Sequence, residues 1–211
     1  MLDRLLDWIQ ISLNLFNQSS DRIVWNLFLA FIPLTLSFYL FRLSARRNLV
    51  WGIILLIFIA FLPNAPYILT DSIHVIELSQ NYPNWAIALV LIPQYSLFIV
   101  AGFEAYIIAL TKLEEYLAHW FDQKYLILTQ AISHSLCVIG IYIGRFERFN
   151  SWDFVTQPEK VLLTTVRDLF DPWKLFSMAI AFLVIWLLAE FVKLVNAQIR
   201  LTFKFKVGID R

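Results

Sequence analysis

Five stretches of this 211-residue chain are apolar enough, and long enough, to cross a bilayer: 23–41, 49–69, 85–110, 125–143 and 175–195. A crossing takes about 20 helical residues. Hydrocarbon leaves no water to satisfy an open backbone, so spans of this length close their hydrogen bonds as α-helices. The expected fold is therefore all-α, a polytopic helical membrane bundle of about five transmembrane helices forming one integral domain over 1–211. Composition agrees, because 60% hydrophobic residues and a mean hydropathy of +0.68 lie well above the roughly 45–50% apolar content of a soluble domain. The 17 Lys+Arg nearly balance 16 Asp+Glu, which gives no electrostatic case for a nucleic-acid partner. Cys137 is the single cysteine, so neither an intrachain disulfide framework nor a cysteine metal cluster can form.

Two further stretches are amphipathic and not uniformly apolar. In 1–17, Leu2, Leu5, Leu6, Ile9, Leu13 and Phe16 share one helical face, opposite Asp3, Arg4, Asp7 and Gln10. This pattern predicts an interfacial helix ahead of the first span. In 158–170, Val161, Leu162, Val166, Leu169 and Phe170 fall on one side, behind Pro158 at a helix start. A second helix along the surface, or across the mouth of the bundle, is expected there.

The second span ends oddly. Val50–Leu62 carries no charge, and then Pro63, Asn64, Pro66, Asp71 and His74 follow in "FLPNAPYILTDSIHV", residues 61–75. Thirteen uncharged residues make about 20 Å of helix, short of a core near 30 Å thick. The prolines leave the carbonyls of Ile59 and Leu62 without helical donors, so the helix is expected to break within the membrane depth. Asn64 and Asn150 suit such freed groups, and Asp71 could cap the short helix that follows.

Basic residues in short loops stay on the cytoplasmic side. Arg42, Arg46 and Arg47 crowd the first connection, whereas 66–84 has neither Lys nor Arg. The N-terminus is then outside and the C-terminus cytoplasmic, in a multi-pass protein of the cell membrane. One loop breaks the rule: 144–174 holds Arg145, Arg148, Lys160, Arg167 and Lys174 yet falls outside. Pairing with carboxylates would explain it, and Asp71 and Glu77 emerge on the same side of the membrane. The sequence thus points to an outer polar site of Asn64, Tyr67, Asp71, Arg145, Arg148, Asn150, Trp152 and Asp153, with the lipid bilayer around it and an anionic lipid as candidate ligand. Asp71 and His74 are weak candidates for acid and base. Against this stands a plainer reading, in which Pro-kinked ends and a capping aspartate are structural only.

Within the spans, Glu104 and His134 lie about 9 Å and 14 Å from the cytoplasmic ends of their helices and are expected to pair, as packing glue or as a proton relay. Glu190 has Lys193 one turn away. Asp71, His74 and Glu77 have helical ligand spacing but make a poor zinc set, so no metal or other cofactor is expected. Glycine-rich phosphate loops, HExxH and GxSxG are absent from the sequence.

Three stretches carry a resemblance: "WNLFLAFIP" (25–33), "FLPNAPYILTDSIHV" (61–75) and "GIYIGRFERFNSWD" (140–153). In this order and spacing they resemble the bacterial membrane-protein family DUF1361, domain of unknown function 1361. The resemblance implies a polytopic helical membrane protein, and it brings no activity, substrate or cofactor. Two function classes follow. One is a membrane component whose outer site binds an anionic lipid or small ligand; the other is a noncatalytic assembly factor or transporter partner in which the cluster is structural.

Overall fold

The computed structural model describes residues 2–44, 47–149 and 153–207; Arg46, Asn150, Trp152 and Arg211 lie outside these. Among the described residues the chain is all-α, and five helices are long and apolar enough to cross a membrane: Leu5–Leu43, Leu49–Ser79, Asn84–Leu117, Gln123–Arg145 and Pro172–Phe203. The chain divides into two compact units, Met1–Tyr116 and Leu117–Arg211.

In the first unit, α1 runs unbroken from Leu2 to Phe38 and closes in a π-turn, Tyr39–Leu43. No boundary separates an interfacial segment from the first span, contrary to expectation. The polar stretch 17–22 is carried inside the helix because Ser19 returns its hydroxyl to the Leu15 carbonyl and reaches Gln94. Leu15, Ser19, Ile23 and Ala30 form the buried stripe, while Leu5, Leu6, Ile9, Leu13 and Phe16 point outward. Trp8 stacks on Trp85 with ring centroids 5.2 Å apart.

Asn48 caps α2 (Leu49–Phe61), its side chain accepting from Trp51 N–H. The break after Leu62 is present but brief. A one-turn α3 (Asn64–Tyr67) leads into a 3-10 stretch, Ile68–Ser72, and then α4 (Ile73–Ser79). Proline is tolerated in the first turn of a helix, where its missing N–H has no intrahelical partner to lose. Of the two freed carbonyls, that of Leu62 is met locally by Ala65 N–H at 3.3 Å, and Asn64 Nδ2 donates to Phe61 O at 3.1 Å. Thr70 and Ser72 hydroxyls take the carbonyls of Tyr67 and Leu69.

After α5 (Asn84–Ala86), Ile87–Leu91 winds as a π-helix ahead of α6 (Ile92–Leu117). The cause is Pro93, which has no N–H to continue an α ladder, so Ile92 N–H bonds back to Ile87 O instead. Gly102 of α6 lets the 3-10 stretch approach: a Cβ there would overlap Ile68 Cδ1 and lie 3.2 Å from Cγ1.

In the second unit, α7 (Gln123–Arg145) packs on α10 (Pro172–Val207), with His134 edge-on to Phe182 and Trp186. Between them lie α8 (Asp153–Thr156) and α9 (Pro158–Leu169). Asp171 caps α10, accepting from Trp173 and Lys174 N–H groups ahead of which Pro172 sits at the first helical position. The buried side of α9 is Val161 and Asp168, whereas Leu162, Val166 and Phe170 are exposed. The amphipathic helix is present, with most of its apolar face turned outward.

Candidate functional site

Asp71 is the deepest polar group of the broken span, almost fully buried. Its place follows from the 3-10 winding of 68–72, which turns the carboxylate toward α1. It does not cap α4; Ser72 stands at that position and makes no capping bond, and Asp71 itself has helical surroundings on both sides. Its Oδ2 accepts from Asn26 Nδ2 at 2.5 Å. The contact joins two of the sequence stretches singled out above, 25–33 and 61–75.

His74 lies between two carboxylates one turn on either side. Its Nδ1 is 2.6 Å from Glu77 Oε2, and its Nε2 is 3.8 Å from Asp71 Oδ1. On α6, the Tyr95 hydroxyl is buried and makes no hydrogen bond of ordinary geometry. Arg22 of α1, Asp71 and Glu77 are charged groups in its neighbourhood. Ser19 donates to Gln94 at 2.9 Å and Tyr82 to Gln18 at 2.8 Å. Gln18, Ser19, Arg22 and Asn26 of α1 thus form a polar ladder along the helix, meeting α6 at Gln94 and Tyr95 and the broken span at Asp71. Of the predicted residues here, Asn64 is engaged with the Phe61 carbonyl, and Tyr67 is half-buried in α3.

The second unit holds a charge network that the sequence reading did not assemble. Asp168, buried on α9, accepts from Lys174 Nζ at 2.7 Å and from Arg167 Nε at 3.2 Å. Glu147 adds a contact to Lys174 at 3.3 Å. Burial pushes the Asp168 carboxyl up, but Lys174, with Glu147 and Arg167 beside it, outweighs this and holds it below the usual carboxylate range. Two of the five basic residues in 144–174 are therefore paired with acids of their own segment.

Arg145 ends α7, and Arg148 follows in a left-handed backbone conformation, φ 57°. Phe149 N–H closes this turn onto Ile143 O at 3.3 Å. Neither arginine forms an ion pair among the described residues, and Arg148 is exposed. Asp153 is half-buried at the start of α8. Glu104 is half-buried on α6 and His134 fully buried on α7; Glu190 meets Lys193 at 3.9 Å.

The local signals for the missed residues were in plain view. Asn26 and Gln94 interrupt apolar spans, and an intramembrane polar group requires a partner. Glu147, Asp168 and Lys174 come together only because the chain turns back at 146–149 and 170–171, which no short-range pattern encodes.

No curated protein and no solved structure matches this chain. Residues 25–188 do match the family described as "Protein of unknown function (DUF1361)", a span that contains Asn26, Asp71, Arg148 and Asp168 alike, and the chain belongs to that family.

Proposed function

We propose that this multi-pass membrane protein holds the anionic headgroup of a phospholipid at the end of α7, with Arg145 and Arg148 as the cationic contacts and α9 lying in the interface. The carrying observation is the division of charge in 144–174. Glu147 and Asp168 occupy Arg167 and Lys174, while Arg145 and Arg148 carry no acid among the described residues. Arg148 also sits in a backbone conformation that costs a non-glycine residue about 1–2 kcal/mol. Such strain accumulates where a side chain is needed in place. Support comes from the outward apolar residues of α9, Leu162, Leu163, Val166 and Phe170, and from exposed Trp173 at the start of α10. Apolar and aromatic side chains beside basic ones suit the headgroup boundary. Asn150, Trp152 and Asp153 lie within five residues of Arg148 in the sequence and belong to the same proposed site. Asn64, Tyr67 and Asp71 serve the broken span. The basic first connection and the absence of Lys and Arg from 66–84 support a cytoplasmic C-terminus, with 144–174 outside.

A second reading, a noncatalytic membrane component in which these polar groups are purely structural, is favoured by the internal pairing of Asp71 with Asn26 and of Asp168 with Lys174. Native mass spectrometry of the protein released from nanodiscs of mixed zwitterionic and anionic phospholipid separates the two. Headgroup binding predicts retained anionic lipid, lowered about fivefold by Arg145→Ala or Arg148→Ala, since a basic residue contributes about 1 kcal/mol near an anionic surface. Unchanged retention in the double variant refutes the proposal.

A further inference from the structure

We propose that Glu77, His74 and Asp71 form a proton path from the aqueous phase into the first unit, delivering a proton to the carboxylate that holds Asn26. Side-chain exposure falls in steps along it, 61% at Glu77, 16% at His74 and 2% at Asp71. The two ring nitrogens of His74 face different carboxylates, which is the arrangement a relay needs: imidazole accepts at one nitrogen and releases from the other. A proton on Glu77 passes to Nδ1 over 2.6 Å, and the imidazolium gives up its Nε2 proton to Asp71 Oδ1. Only N–H and O–H bonds are made and broken, and no electrons move. The second gap, 3.8 Å, exceeds a direct hydrogen bond. A small turn of the imidazole, or one bridging water, closes it.

The groups facing the end of this path are Asn26 and Arg22 from α1, Tyr95 from α6, and His74 and Glu77 from the broken span itself. When ionised, Asp71 grips Asn26 through a charge-assisted bond. Protonation weakens that grip, so the path carries a consequence for how α1 is held. The path ends at Asp71, and the buried Tyr95 hydroxyl of α6 lies beyond it without a hydrogen bond of ordinary geometry. This inference is independent of the headgroup site, since it concerns the other unit and other residues.

The test is infrared spectroscopy of the full-length protein in zwitterionic lipid, following the C=O stretch of protonated carboxyl groups after a pH jump. Asp71→Asn identifies the Asp71 band. The expected result is uptake of a proton by Asp71, slowed at least about a hundredfold in His74→Ala and restored there by added imidazole. His74 is a partly exposed residue on a short helix, and far-UV circular dichroism checks that its truncation leaves the fold intact. If Asp71 takes up no proton across the pH range in which the protein stays folded, the path is wrong. It is equally wrong if His74→Ala leaves the rate unchanged or imidazole fails to restore it.

Discussion

Replacing Gly102 by alanine tests how closely α6 and the 3-10 stretch are fitted. A Cβ at this position overlaps Ile68 Cδ1 and lies 3.2 Å from Cγ1 and 3.4 Å from Cβ, and Ile68 is fully buried. Overpacking of this kind costs about 1–3 kcal/mol. Against it, alanine gains about 0.8–1.0 kcal/mol over glycine inside a helix. The net expectation for Gly102→Ala is a loss of about 1 kcal/mol. Ile68→Val alone removes Cδ1 and costs about 0.5–1.5 kcal/mol. Together the two changes should nearly cancel, because valine vacates the space the new methyl occupies while the helix gain remains. The coupling is then about 1–2 kcal/mol in favour of the double variant. Reversible unfolding in mixed micelles, followed by far-UV circular dichroism, gives all four corners of the cycle. A Gly102→Ala protein as stable as the parent, or strict additivity, would show that α6 does not approach Ile68 in this way.

Asn26→Ala should cost about 1.5–3 kcal/mol at pH 7, the contribution of a hydrogen bond to a charged group, and a cycle with Asp71→Ala should give a double variant that costs less than the sum. The depressed Asp168 ionisation means the unfolded chain holds that proton more tightly, so its contribution is complete above the ordinary carboxylate value of about 3.9 and is lost as pH falls through the folded value. Thermal melts should therefore be flat from pH 7 to about 5 and fall below about 4, and Asp168→Asn should flatten the acid limb. Arg148→Gly should raise stability by about 1 kcal/mol through relief of the left-handed backbone, while lowering anionic-lipid retention. A gain in both, or a loss of stability, would contradict the roles given to that residue.

The five crossings were legible because apolar length is a local property. So was the start of α9, where Pro158 sits at a first helical position. Asp71 misled for an equally local reason: an aspartate ahead of a short helix looks like a cap, whereas its observed partner, Asn26, lies 45 residues away. The break is brief because Pro63 stands at the N-cap, and Pro66 in the first turn, of a new helix. The polar run 17–22 separates the amphipathic stretch from the first span in the sequence, yet Ser19 and Gln18 within it find Gln94 and Tyr82 and the helix continues. For the basic residues of 144–174 the sequence pointed to Asp71 and Glu77 as partners of Arg145 and Arg148; the pairs formed by Arg167 and Lys174 are instead with Glu147 and Asp168.

The π-turn at Ile87–Leu91 behaves as a phase shifter. It holds one residue more than an α turn, and one residue is about 100° of rotation. Upstream of it, Trp85 stacks on Trp8 and Ala86 is buried; downstream, Gln94 takes Ser19. A straight α-helix of the same sequence could keep only one of these groups aimed at α1. Deleting a single residue within 87–91 would let the turn close as an ordinary α turn with both groups still aimed at α1, whereas inserting one more residue there would swing Gln94 away from α1 and silence the polar ladder without touching any member of it.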